Sequence, residues 1–119
     1  MSKYILKVAA TGEVTREEFN AEDSLKQLQS AVGGCIERVP VPMVRGRDLF
    51  VNEDGIAEKL PINEKLTRFV QLRIRFTIVT LLGDGVFAAH DGDGNTIGLT
   101  EAQCDDLEKA IALANKLKT

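Results

Sequence analysis

The sequence is poor in aromatic residues and histidine, and this excludes several kinds of site. Of its 119 residues, 5% are aromatic, none is tryptophan, and His90 is the single histidine. A motif in which two histidines of one chain bind a metal is therefore impossible. Few rings are available on which the bases of a single-stranded nucleic acid could stack. The core is expected to consist mainly of valine, isoleucine and leucine.

Long apolar runs and excess positive charge are also lacking. The most apolar run, Phe76–Leu82, is far shorter than the roughly 20 residues that cross a bilayer as a helix. The formal net charge of −3 disfavours nonspecific binding to the phosphates of nucleic acids. We therefore expect neither a membrane nor a nucleic acid as partner. In the reducing cytosol, Cys35 and Cys104 would be free thiols.

The order of the strand and helix patterns predicts an α+β fold. Several hairpin signals and no long crossover between strands favour one domain over residues 1–119, with a mostly antiparallel sheet and two or three helices packed on one face. Ile97–Leu99 is expected to pair briefly near the end of the sheet. The other expected strands are Lys3–Ala10, Glu13–Phe19, Cys35–Val39, Leu49–Val51, Ile56–Leu60 and Val86–His90.

Three helices have recognisable ends. Either residue of the pair Asp23–Ser24 can cap the first helix, with Gln27 placed to complete a capping box. Gly33 is positioned to end that helix in a left-handed conformation. Asn63 is a suitable cap for the second helix, and Thr100–Gln103 has the pattern of a capping box for the third.

The segment Leu72–Val79 allows two interpretations. Its apolar and polar residues alternate, which favours a strand with one buried face. The alternative is that the second helix continues through it. That helix would place Arg73 on the same side as Phe69 and Val70, so the strand is preferred.

Candidate catalytic and metal sites are weak. Cys35 and His90 would form a catalytic dyad only if the fold brought them together, and the strand pattern around Cys35 favours a structural role. The run Asp91–Asn95 resembles the start of a calcium loop. However, Thr96 stands where the glycine of that loop belongs, and Ala102 stands where its bidentate glutamate belongs. We expect no enzymatic activity, no metal and no cofactor.

Clustered arginines are the strongest candidates for a binding site. Guanidinium groups bind carboxylates and phosphates through paired hydrogen bonds. The alternative is a solvated surface on which each arginine pairs with a nearby acid. The expected ligand-binding residues are Glu37, Arg38, Arg45, Arg47, Arg73 and Arg75.

Two short motifs carry a resemblance to a known family. They are Val-Gly-Gly-Cys-Ile-Glu at Val32–Glu37 and Leu-Pro-Ile-Asn at Leu60–Asn63, with the acidic turn Asn52–Gly55 between them. Together they resemble a family of small domains of unknown function carried by bacteriophages, plasmids and mobile elements. Cys35 stands where that family has an aromatic residue. The resemblance implies a location in the cytoplasm of a bacterial host, where small accessory proteins of mobile elements often counter host defences.

Three functions follow as hypotheses. The preferred one is a non-enzymatic protein that binds and sequesters a small anionic host ligand, such as a nucleotide-like signal, with a homo-oligomer as one way to complete the site. The second is a protein-interaction module that inhibits a host protein. The third is a nucleotide hydrolase in which Glu37 or Asp84 acts as general base.

Overall fold

The computed structural model describes residues 3–41, 46–74 and 77–116. Within these ranges six strands form one antiparallel sheet, accompanied by three helices, which confirms the α+β fold. The strands are β1 (Tyr4–Val8), β2 (Val14–Glu18), β3 (Ile36–Val39), β4 (Arg47–Asn52), β5 (Gly85–His90) and β6 (Thr96–Ile97). The helices are α1 (Ser24–Val32), α2 (Glu64–Gln71) and α3 (Glu101–Lys116).

The strand order is β2-β1-β5-β4-β3, and β6 pairs with the end of β5. Of the helices in the described part of the chain, none combines the length and apolar character needed to cross a bilayer.

The central strand β5 is buried on both faces, and this determines where the helices lie. Phe87 and Ala89 belong to a core cluster that includes buried residues of α2 and α3. Val86 and Ala88 belong to a second cluster, which includes buried residues of α1. Two helices therefore share one face, as expected, while α1 lies on the opposite face. A third helix on the same face would have left the second apolar surface of β5 in water, which is unfavourable.

Close packing on the face of α2 and α3 involves an aromatic pair and a glycine. The rings of Phe69 and Phe87 meet edge to face, with centroids 5.7 Å apart, a favoured geometry for aromatic side chains. Nearby, the Leu66 side chain fills the space that a Cβ atom at Gly85 would occupy. Glycine at the start of β5 thus allows α2 to approach the sheet closely.

The strand expected at Leu72–Val79 is wrong for its described residues. Leu72 has helical dihedral angles, and the backbone N–H of Ile74 donates to a carbonyl in the last turn of α2 at 3.1 Å. Arg73 does lie on the side of Phe69, with its guanidinium carbon 4.0 Å from the ring centroid. A cation over an aromatic face is stabilising, so the placement that counted against a helix is favourable.

The strand expected at Ile56–Leu60 is also wrong. This segment forms consecutive turns, in which Glu58 N–H donates to the carbonyl of Asp54 at 2.9 Å and Leu60 N–H to that of Gly55 at 3.0 Å. These local bonds satisfy the backbone groups that a ladder would otherwise use.

The caps were predicted with mixed success. Thr100 and Gln103 exchange the two bonds of a capping box, at 2.8 and 3.1 Å, and Gly33 ends α1 in the left-handed region with φ 79°. The capping box expected at the start of α1 is wrong. Gln27 instead accepts from the N–H of Asn20 and donates to the carbonyl of Glu18, both at 2.8 Å. Its amide ties α1 to the edge strand β2.

Asn63 joins three parts of the fold. Its fully buried side chain accepts a hydrogen bond from Leu66 N–H at 3.1 Å, which confirms its role as the cap of α2. Its amide nitrogen also donates to the carbonyls of Val8 and Gly83, each at 2.9 Å. One side chain therefore connects the end of β1, the start of α2 and the loop before β5.

Replacing Asn63 with alanine should destabilise the protein more than removing an ordinary cap. Asn63→Ala loses a cap, which costs about 1 kcal/mol, and leaves buried carbonyls without donors, at about 1–3 kcal/mol more. Urea unfolding should show a total loss of roughly 2–4 kcal/mol with an unchanged slope. The control Thr100→Ala should lose only about 1 kcal/mol. Equal losses in both variants would contradict the connecting role of Asn63.

Candidate functional site

Two of the expected arginines have roles inside the fold. The side chain of Arg47 is only 11% exposed and lies 3.8 Å from a carboxylate oxygen of Asp106. Arg73 stacks on Phe69 and donates to its carbonyl at 3.4 Å, and burial lowers the pKa of Arg73 from its ordinary value. Arg47 is almost buried and Arg73 lies half-buried against the Phe69 ring, so neither presents an accessible guanidinium to a ligand.

The remaining expected residues do not form one site. Arg45 and Arg75 lie outside the described residues. Glu37 and Arg38 are neighbours in β3, so their side chains point to opposite faces of the sheet. Glu37 is on the face of α2 and α3, whereas Arg38 directs its guanidinium to Asp48 on the other face.

A carboxylate on β4 brings together side chains from three adjacent strands. Asp48 has an exposed fraction of 7%. One of its oxygens lies 2.7 Å from Nδ1 of His90, at the end of β5, and the other lies 3.6 Å from a guanidinium nitrogen of Arg38, on β3. Pairing of Asp48 with Ala88 across the β4–β5 ladder places His90 diagonally opposite Asp48, on the same face. We call Arg38, Asp48 and His90 the sheet-end cluster.

The sheet-end cluster lines an open depression of about 510 Å³, bordered also by Phe50, Gly94 and Thr96. The charged end of Arg38 remains accessible, since its side chain is 62% exposed. The depression therefore has a guanidinium, an imidazole, a hydroxyl and an aromatic side chain around one volume.

The contact with Asp48 determines which atom of His90 a ligand would meet. An ionised carboxylate only accepts hydrogen bonds, so Nδ1 of His90 carries the proton. In a neutral ring Nε2 is then an acceptor, and in a protonated ring it is a second donor. The depression thus offers donors for an anionic group at Arg38 and a partner for a hydroxyl or an anion at His90.

Sequence reasoning missed Asp48 and the role of His90. Asp48 lies just outside the expected strand Leu49–Val51, and His90 was a chemical candidate only as a partner of Cys35. The signal that would have found them is alternation, because Asp48 and Phe50 share a face of β4. Knowing that β5 lies next to β4 was also necessary, and local patterns do not give that order.

The other catalytic and metal candidates are not assembled. Cys35 borders a separate shallow depression beside the end of α1, away from His90. Asp91 accepts from the backbone N–H groups of Asn95 and Asp93, both at 2.9 Å, and these bonds lower its pKa. The run Asp91–Asn95 is therefore the hairpin turn between β5 and β6. In the described ranges no group of three or more metal-binding side chains is positioned to hold an ion.

The two thiols should react at very different rates. Cys35 is exposed and Cys104 is buried, and burial raises the pKa of the Cys104 thiol. Since the thiolate is the reactive form, iodoacetamide at about pH 8 should modify Cys35 rapidly and Cys104 only after unfolding in denaturant. Mass spectrometry over time measures this, and Cys35→Ser should remove the fast reaction. Equal modification of both cysteines in the native protein would contradict the position of Cys104.

Comparison with known proteins identifies a family without assigning an activity. No curated protein and no solved structure matches the chain. The sequence model of a domain of unknown function, DUF3846, matches residues 1–112. This match extends over nearly the whole chain and agrees with the resemblance described above. The protein belongs to the DUF3846 family of domains of unknown function.

Proposed function

We propose that this protein is a non-enzymatic binding protein that sequesters a small anionic ligand in the depression at the sheet-end cluster. The observation that carries the proposal is the buried carboxylate of Asp48, which holds an exposed guanidinium and an imidazole side by side. In the setting implied by the family resemblance, the protein is made from a mobile element in the cytoplasm of a bacterial host. There it withdraws a nucleotide-like signal and so counters a host defence.

The position of Asp48 supports binding because it orients the donors before a ligand arrives. Arg38 and His90 each contact a different oxygen of this one carboxylate, so less conformational freedom is lost when a ligand binds. A volume of about 510 Å³ falls within the range of roughly 300–1,000 Å³ that is usual for small-molecule sites. A ligand with a phosphate near a hydroxyl, as in a nucleotide, fits the arrangement of donors and acceptor.

The affinity that one chain provides is limited. A hydrogen bond to a charged group contributes about 1.5–3 kcal/mol, whereas micromolar binding needs about 8 kcal/mol. Contact of a base or ribose with Phe50 and a bond to Thr96, both at the depression, would supply part of the difference. Because the depression is open, a second copy of the chain is a further source of contacts, which is why a homo-oligomer forms part of the proposal.

Calorimetric titration with a panel of nucleotides tests the site. We expect Arg38→Ala to weaken binding by about 10- to 100-fold, the equivalent of one charge-assisted bond. His90→Gln, which loses the imidazole, should weaken it by about fivefold. The control Arg68→Ala removes an exposed arginine paired with Glu64 on α2 and should leave the affinity unchanged. Absence of heat, together with no ligand-induced rise in Tm for any nucleotide, would contradict the proposal.

The same samples distinguish binding from hydrolysis. The bases first considered are poorly placed: Glu37 is exposed on the opposite face of β3, and Asp84 accepts from Ala10 N–H at 2.9 Å and lies 3.5 Å from the Lys7 ammonium. His90, oriented by Asp48, is the better-placed base. We expect nucleotides to be recovered intact after long incubation. If the native protein hydrolysed a nucleotide and His90→Gln did not, the protein would be a hydrolase and the binding proposal would be wrong.

A protein-interaction module remains the second candidate function. The observation that favours it is the exposure of Ile56, a large apolar side chain that borders a groove beside β3 and is 84% exposed. Exposed apolar surface beside a strand edge is typical of contact sites between proteins.

A further inference from the structure

The outer edge of β3 has backbone groups available for another strand. β3 is the last strand in the sheet order. Glu53 N–H donates to the carbonyl of Cys35 at 2.9 Å, so in this antiparallel pair the residues Cys35, Glu37 and Val39 bond towards β4. The N–H and C=O groups of Ile36 and Arg38 consequently point away from the sheet. Within the described ranges nothing bonds to them.

The opposite edge, β2, is protected by side chains. The side chain of Gln27 covers the outward carbonyl of Glu18. Arg16, in the middle of β2, is held by Asp105 and Glu108 of α3 at 2.6 and 2.7 Å. Charged side chains and covered carbonyls discourage pairing with another strand. The edge of β3 has no comparable cover from the described residues.

A groove lies next to the β3 edge on the face of α2 and α3. Its volume is about 250 Å³, below the roughly 300 Å³ at which small-molecule pockets begin, so it suits a side chain of a peptide better than a free ligand. The side chains that make it apolar come from β3, β4 and the loops on either side of α2. Among them are Val39, Val51, Ile56, Leu81 and Leu82.

The charge around the groove is negative. Glu37 and Glu53 line it, and Asp54 and Glu58 are exposed in the adjoining turn. Two cations are nearby and do not cancel this charge. Lys59 is one, and Arg38 borders the groove but directs its guanidinium to Asp48 on the other face. A partner that carries lysine or arginine opposite Glu37 would therefore be favoured.

We propose that β3 binds an extended peptide segment of a partner protein, which adds a strand to the sheet. The segment would exchange backbone hydrogen bonds with Ile36 and Arg38. On the groove side it would place a basic residue opposite Glu37 and, two positions away, a bulky apolar residue between Val39 and Ile56. This inference specifies the partner of the second candidate function and does not depend on the anion site.

A second copy of the chain fits this edge less well. Two β3 strands that pair along their full length through Ile36 and Arg38 would place Glu37 directly opposite its own copy. Like charges at directly opposed positions destabilise an antiparallel pair. The charge pattern therefore favours a different chain with basic residues.

Synthetic peptides of about eight residues test the proposal. In one set every second residue is threonine, and the positions between hold lysine and, two positions away, valine, leucine or phenylalanine. The matched set has glutamate in place of lysine. We expect a lysine peptide to bind and to slow hydrogen exchange at the amides of Ile36 and Arg38. Glu37→Lys should weaken binding of the lysine peptide about three- to tenfold and strengthen binding of the matched glutamate peptide. Ile56→Asp should weaken binding of the lysine peptide about tenfold.

The control is Ile78→Asp, the same change at a residue that is 92% exposed and does not line the groove; it should leave peptide binding unchanged. Three results would overturn the proposal. The first is that no lysine peptide binds. The second is that a peptide binds without slowing hydrogen exchange at the amides of Ile36 and Arg38. The third is that exchange at these amides is already slow without peptide because two copies of the chain pair. If a host protein bound Glu37→Lys and Ile56→Asp with the same affinity as the native chain, the interaction function would stand, but the β3 edge would not be its contact site. Nucleotide titration of the two variants reports separately on the anion site.

Discussion

The central strand β5 must bury apolar side chains on both of its faces, and the rest of the structure follows from this constraint. Phe87 faces the cluster of α2 and α3, whereas Val86 faces that of α1. The short chain uses its three described helices to cover the two faces. Because those helices cover the middle of the sheet, polar groups collect at its end and along the β3 edge, where the candidate binding surfaces lie.

The sheet-end cluster lies where apolar contacts on one face stop. On the α1 side, Phe50 and Ala88 are the outermost core residues of β4 and β5. The next residues on that face of the two strands are Asp48 and His90. A carboxylate buried there would be costly without partners, and His90 and Arg38 supply them. The cluster thus stabilises a buried charge, and the same pairing holds the guanidinium and the imidazole at the mouth of the depression.

Local signals in the sequence predicted several helix ends correctly. Caps at Asn63 and Thr100 and the glycine end at Gly33 depend on residues a few positions apart, so they are readable without the fold. Alternation misled at Leu72–Val79 because an arginine on an apolar helix face was treated as unfavourable, and the ring of Phe69 makes that position favourable. The six expected ligand residues were chosen by residue type and by closeness in the sequence. To assign these residues to faces of the sheet, the strand register must be known. The register depends on which strands are neighbours, and local sequence patterns do not give that order.

The register also explains how one short strand contributes to two separate surfaces. In β3, the guanidinium of Arg38 faces Asp48, the carboxylate of Glu37 faces the groove, and the backbone of Arg38 faces the outer edge of the sheet. Arg38 borders both the depression and the groove, so a change of its side chain affects both surfaces. Changes at His90 affect only the anion site, and changes at Glu37 affect only the groove. For this reason the function of each surface is best assigned with variants at these two residues.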